Sequence, residues 1–214
     1  MNATAEPQAA SAWRAADPAT TASLSVPSPR TRLLGGAFIA APLLSLASSV
    51  AFAAGSEPAR GVLQFYGFAV FVLVIVTLTQ ALATTFPRAA TVLTLVGVLG
   101  MAAGVGFAVD NIHGALLDDA YLVDDGGLAG VLVANVPGLM GPLAFIGIGV
   151  ALLRAGVQPR FSGVALIAAG LLFPISRIGD IAPLAIADDL IFLLALAPLG
   201  WAILRGRDVI GADR

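Results

Sequence analysis

Six long apolar segments dominate the chain, and they restrict the folds that it can adopt. Each approaches or exceeds the roughly 20 residues that a helix with a rise of about 1.5 Å per residue needs to cross a bilayer core. A bilayer offers its spanning segments no water for hydrogen bonding, so such segments form helices. The predicted spans are Leu33–Ala54, Gly61–Thr84, Ala89–Val109, Leu128–Leu153, Phe161–Gly179 and Leu184–Leu204.

The composition agrees with a membrane protein. Hydrophobic residues make up 58% of the chain and charged residues only 11%, against about 25% charged residues in soluble domains. We predict an all-α, polytopic membrane protein, a bundle of six transmembrane helices at residues 33–204. Residues 1–32 are rich in Ala, Ser, Thr and Pro and predict a disordered cytoplasmic tail. Residues 205–214 predict a short cytoplasmic C-terminal tail.

Missing residue types exclude several kinds of chemistry. The chain has no Cys, which excludes disulfides, thiol nucleophiles and iron–sulfur ligation. It has no Lys, which excludes a retinal Schiff base. Its single His, His113, is too few for a di-haem cytochrome or an HExxH zinc site. We therefore predict no cofactor and no catalytic residues, and the net charge of −2 gives no indication of nucleic-acid binding.

Arginine placement predicts the orientation. In a six-span arrangement nine of the eleven basic residues fall on one side, and only Arg60 and Arg177 fall on the other. Short arginine-rich loops stay in the cytoplasm. We therefore predict a multi-pass protein of a bacterial inner membrane with both termini inside. Most acidic residues then collect on the outer side.

The first span also has features of an export signal. It follows arginines, and Ala51-Phe52-Ala53 fits a cleavage site. However, Leu33–Ala54 has 22 residues, more than the 7–15 or so of a signal core, and a long tail precedes it. We predict a retained helix, with a cleaved signal as the alternative.

The segment SRIGDIAPLAIADDL, which joins the last two spans on the outer side, is the strongest candidate site. It contains Arg177, Asp180, Asp188 and Asp189 among apolar residues. Charges at membrane depth usually face a cavity or a partner. We predict that Arg177 pairs with Asp180 or Asp188 in an outward-facing pocket for an ion or polar solute. Alternatively, the acidic groups only complement the helix dipole and Arg177 reaches toward the interface.

A second candidate is the acidic segment 110–127. Asp110 and His113 are three residues apart and could bind a metal with one further carboxylate. The alternatives are a solvated acidic loop and a pH-sensing role for His113.

Polar residues inside the predicted spans form a third group, of which Gln80 and Asn135 are the most notable. Asn135 lies two residues before Pro137, so local unwinding could expose carbonyl groups there. The alternative for both residues is hydrogen bonding between helices. Gly100 and Gly104 form a GxxxG pair that predicts close helix packing.

Three functional hypotheses follow. The first is a small channel or transporter component whose outer vestibule is lined by the Arg177–Asp189 group. The second is a sensor, assembly factor or partner subunit, with the acidic loop as its contact surface. The third, an intramembrane lipid-modifying enzyme, has the least support because the outer face offers one His and two Arg. The predicted partners are the lipid bilayer and either another membrane subunit or further copies of the chain.

Overall fold

The computed structural model describes residues 28–117, 127–157 and 159–206. Within these ranges the chain forms six helices that are long and apolar enough to cross a membrane, and the predicted all-α six-helix fold is confirmed. The helices are α1 (Pro29–Ala53), α2 (Glu57–Leu82), α3 (Pro87–Leu117), α4 (Val136–Ala155), α5 (Arg160–Ile178) and α6 (Ala182–Leu204). The chain is a multi-pass integral membrane protein.

Proline and glycine mark the helix ends. Five helices begin with a proline in their first turn, where the missing N–H would have no helical partner. At the start of α1, the Ser28 side chain also accepts a hydrogen bond from the Thr31 N–H at 3.1 Å. Gly156 ends α4 with φ at 71°, a left-handed conformation that favours glycine. These local signals hold each span to a defined length.

Several helix boundaries differ from the sequence-based prediction. α1 begins at Pro29, so the end of the predicted tail is helical, and residues 1–27 lie outside the described part of the chain. α3 continues to Leu117 instead of ending at Val109. α2 starts early enough to give that extension a partner, and Ile112 packs against Gly61. Asp110 and His113 therefore lie on a helix, and residues 118–126 of the predicted acidic loop lie outside the described residues.

The fourth predicted span has two parts. A helical turn at Gly127–Gly130 and a wider π-helical turn at Val131–Asn135 precede α4. The N–H of Val136 bonds to the carbonyl of Val131, five residues back, and Pro137 follows. The backbone thus changes its winding at the predicted place, but by widening into a π turn, a feature common at functional sites.

The six helices form a closed ring. Each packs against its neighbours in sequence, and α6 packs against α1. α1 contributes buried residues such as Phe38 to the core, so it completes the ring. That it is retained in the mature protein stays a prediction.

Glycines allow the helices to approach closely. At the α3–α4 crossing a Cβ on Gly100 would overlap the backbone of Gly141, and at the α1–α6 crossing a Cβ on Gly35 would lie 2.9 Å from the Gly200 carbonyl oxygen. Small residues at crossings permit the backbone contact on which helix association in lipid depends. The close packing expected at Gly100 is thus present, and Gly104 packs against Phe68.

Candidate functional site

A cavity of about 650 Å³ lies at the end of the ring that carries the α1–α2 and α5–α6 turns. We call this the cavity end, and the opposite end, which carries Arg88, Arg154, Arg160 and Arg205, the arginine end. Residues of α2, α3, α4 and α5 line the cavity. Its volume lies within the range of about 300–1,000 Å³ that is typical of small-molecule sites.

Arg60 occupies one wall, in the first turn of α2. Its side chain is 8% exposed and bonds to Glu57 at 3.2 Å, with Asp180 3.8 Å from its other terminal nitrogen. The guanidinium carbon lies 4.0 Å from the centre of the Phe52 ring. Ser48 of α1 donates a hydrogen bond to the Arg60 carbonyl at 3.0 Å. The short α1–α2 turn therefore fixes this arginine against α1.

Arg177 occupies a second wall, in the last turn of α5, with a side chain that is 10% exposed. Its Nη2 donates to both carboxylate oxygens of Asp189, at 3.2 and 3.1 Å. Asp189 also accepts a hydrogen bond from Ser45 at 2.6 Å and another from Ser49. Asp189 is fully buried, so this network joins α1, α5 and α6 below the surface.

Both arginines retain unused donors. Within the described part of the chain, Arg60 Nε, Arg177 Nε and Arg177 Nη1 are buried and have no hydrogen-bond partner. A buried donor without an acceptor costs about 1–3 kcal/mol, and more when it carries charge. The protein thus binds one edge of each guanidinium group and leaves donors on the rest unsatisfied.

Amide side chains extend the polar lining. Gln64 of α2 accepts a hydrogen bond from the Asn111 amide of α3 at 3.1 Å, and both residues line the cavity. Asn135 lines it from the end of the π turn. The cavity therefore offers charged and neutral hydrogen-bonding groups from four parts of the chain.

The deeper lining is apolar and closed. Phe68, Met101, Pro142 and Phe173 border both the cavity and a void of about 10 Å³ beneath it. A void of that size holds about one water molecule.

Three further phenylalanines fill the ring centre next to this void. Phe71 of α2, Phe145 of α4 and Phe192 of α6 contact one another edge to face, with ring centres 4.8–5.6 Å apart. Buried aliphatic residues such as Leu78 and Leu152 fill the core toward the arginine end. The cavity is therefore open at one end of the bundle and closed in its middle.

Asp188 differs from its neighbour Asp189. It is also fully buried, but within the described part of the chain neither of its carboxyl oxygens has a hydrogen-bond partner. A buried carboxyl group in this situation is energetically unfavourable. It lies next in sequence to the residue that binds Arg177.

The residues of the Arg177 segment lie close together, but Asp188 and Asp189 are buried outside the cavity lining, and the pairing differs from the prediction. Arg177 and Asp180 line the cavity, yet Arg177 pairs with Asp189, and Asp180 lies near Arg60 instead. The predicted pairing with Asp180 or Asp188 is therefore wrong. Asp180 lies in the turn before α6, with a side chain that is 69% exposed, whereas Asp189 lies about two turns inside the helix. Asp188 is equally buried but, as the preceding residue of the helix, points in a different direction.

The other predicted groups do not assemble. Asp110 is buried and His113 is exposed, although both lie on α3. Among the residues that the structure describes, no three His, Cys, Asp or Glu side chains come together to hold a metal ion. Gln80 is exposed in the last turn of α2, at the arginine end, whereas Asn135 lines the cavity.

Arg60, Gln64, Asn111, Ser45 and Ser49 belong to the site and were missed as candidates. A signal for Arg60 was present, since Arg60 and Arg177 are the two basic residues that the arginine count placed on the side opposite to the others. Ser45 and Ser49 are four residues apart, which places them on one face of a helix. Their common acceptor lies on α6, far away in sequence, and local spacing does not indicate it.

Comparison with known protein families, with curated proteins and with solved structures finds no match to this chain.

Proposed function

We propose that this protein binds a small polar or amphiphilic solute in the cavity and acts as a transporter or as a transporter component. The observation that carries the proposal is the cavity itself. It is large enough for a small molecule, has buried arginines in its walls and is closed below by aromatic side chains. A site that is open to one side and closed to the other is what alternating access requires.

An open channel fits the structure less well. The Phe71–Phe145–Phe192 cluster fills the centre of the ring, and buried aliphatic side chains follow it. A continuous water-filled pore would need polar groups along the axis. Solute passage therefore requires the helices to move, as in a carrier.

The orientation is part of the proposal. The arginine end carries most of the basic residues that flank the helices, which supports a cytoplasmic location in a bacterial inner membrane. The cavity then opens to the outside. The acidic loop between α3 and α4 would lie on that same side.

A cavity-filling substitution tests the proposal. Gly138 lines the cavity, and a Cβ at this position meets no other atom within 4 Å. Gly138→Phe should therefore occupy the cavity without disturbing the fold. Gly106 of α3 has equally open space and is not among the lining residues, so Gly106→Phe is a matched control.

The measurement is uptake of labelled organic acids, amino acids and sugars into vesicles that contain the purified protein. We expect uptake of at least one solute class by the wild type and by Gly106→Phe, and loss of uptake in Gly138→Phe. Equal uptake by both variants would refute the cavity as the route. Solute binding to the wild type without uptake would instead favour a sensor or a partner subunit.

A further inference from the structure

The unsatisfied donors of Arg60 and Arg177 indicate what kind of ligand the cavity accepts. Both side chains are nine-tenths or more buried and both residues line the cavity. Within the described part of the chain, three of their nitrogen atoms have no hydrogen-bond acceptor. A guanidinium group has five N–H donors and no acceptor. Only a partner that supplies acceptor atoms can satisfy these positions.

Charges around the two arginines orient them without using all their donors. Glu57 bonds to Arg60 Nη1 and Asp180 lies near Nη2, while Asp189 binds Nη2 of Arg177. Glu57 and Asp180 have side chains that are 32% and 69% exposed, so water screens their charge. The Asp189 carboxylate accepts hydrogen bonds from two serines and from Arg177. The remaining donors have no acceptor within the described part of the chain, and both arginines lie in the cavity wall.

The apolar floor limits the rest of the ligand. Phe68, Met101, Pro142 and Phe173 line the deeper part of the cavity, where they would cover hydrocarbon but bind no polar group. A small inorganic anion would leave that surface unfilled. Arginine hydrogen bonds to carboxylate and phosphate are about twice as strong as neutral ones.

We infer that the cavity binds an amphiphile with an oxyanion head, which accepts hydrogen bonds from Arg60 and Arg177, and an apolar body, which packs on Phe68, Met101 and Phe173. The inference rests on the proposed function, because it identifies the class of solute for the same cavity. The oxyanion can belong to a soluble carboxylate or to the phosphate of an acidic lipid.

Octanoate is a suitable probe, with octanol and octylammonium as neutral and cationic controls of the same chain length. Binding of each radiolabelled compound is measured on the full-length protein in phosphatidylcholine nanodiscs, after subtraction of binding to empty nanodiscs. We expect saturable binding of octanoate, and binding of octanol and octylammonium weaker by about tenfold or more. Gly138→Phe should abolish octanoate binding and Gly106→Phe should preserve it.

Arginine variants test the recognition directly. Arg60→Gln removes the positive charge, while Glu57 and Asp180 keep their access to water. It should weaken octanoate binding by about tenfold or more, because a charge-assisted hydrogen bond is lost. Arg60→Lys should retain part of the affinity. Arg88→Gln, an exposed site at the arginine end, should have no effect. For Arg177 the neutral pair Arg177→Gln with Asp189→Asn avoids an unpaired buried charge and should also weaken binding.

The outcomes separate the two proposals. Equal or tighter binding of octanol or octylammonium at the same Gly138-sensitive site would overturn the oxyanion inference and leave the cavity as a solute site. Octanoate binding that Arg60→Gln does not change would also overturn it. Absence of Gly138-sensitive binding of all three probes would overturn the inference, while vesicle uptake of another solute would still support the proposed function. If phosphatidylglycerol added to the nanodiscs competes with octanoate, the oxyanion belongs to an acidic lipid. If it does not compete, the oxyanion belongs to a soluble carboxylate. Both results support the inference.

Discussion

At the scale of single residues, the adjacent aspartates Asp188 and Asp189 have opposite environments. Asp189 accepts hydrogen bonds from two serines and an arginine, and it compensates a buried cation. Asp188 is equally buried, but within the described part of the chain its carboxyl oxygens have no partner. Removing one partner of a buried ion pair lowers the stability far more than replacing both partners by apolar residues does. The two positions should therefore respond differently to mutation.

Asp189→Ala should destabilise the protein by about 3–5 kcal/mol, because it leaves Arg177 buried without its counter-charge. Asp188→Leu is the matched substitution next to it, with similar volume and no lost hydrogen bond. It should leave the stability unchanged or raise it by about 1–3 kcal/mol, the cost of an unpartnered buried polar group. Equilibrium unfolding of both purified variants in detergent measures the difference. Equal losses at the two positions would contradict the assigned network.

The sequence identified Arg177 and Asp189 as candidate site residues, but it did not predict that they pair. Charged residues in an apolar segment are visible without a structure, and so is their location near one end of a span. The choice of partner depends on depth and on which helix lies opposite. Asp189 receives Ser45 and Ser49 from α1, and that contact exists only because α6 closes the ring on α1. No pattern within the Arg177 segment contains this information.

At the scale of helices, length and apolar content predicted the spans, whereas helix contacts decided their ends. α3 runs on past Val109 because α2 lies alongside it, with Asn111 bonded to Gln64. The change of winding before Pro137 was predicted from the missing N–H of proline, and it takes the form of a π turn. Both features place side chains on the cavity wall. Local chemistry therefore predicted where helices exist, and tertiary contacts set how far they extend.

The crossing of α3 and α4 depends on Gly100, because a side chain there would overlap the backbone of Gly141. We expect Gly100→Leu to force the two helices apart and to lower the melting temperature by about 5 °C or more, on the basis of about 1–3 kcal/mol for an overpacked contact. Gly106 on the same helix has open space around it, so Gly106→Leu should change the melting temperature little. Thermal unfolding in one detergent compares them. A stable Gly100→Leu variant would mean that the helices do not cross there.

At the scale of the whole molecule, the ring has two different halves. The half at the cavity end holds buried charges and a cavity, while the half toward the arginine end is packed with aliphatic side chains. Charge counting predicted that the two ends differ, because nearly all arginines flank one side. The cavity itself could not be predicted, because its walls come from helices that are distant in sequence.

The central claim is that the cavity is reached by water from the outside only, and cysteine labelling tests it most directly. The chain has no Cys, so single substitutions can be labelled in intact cells with a membrane-impermeant maleimide. We predict that Gly138→Cys is labelled in intact cells. Thr84→Cys, at the arginine end, should be labelled only after permeabilisation. Leu78→Cys, below the phenylalanine cluster, should not be labelled in either case. Labelling of Gly138→Cys only after permeabilisation would reverse the orientation, and labelling of Leu78→Cys would contradict a cavity that is closed in the middle of the membrane.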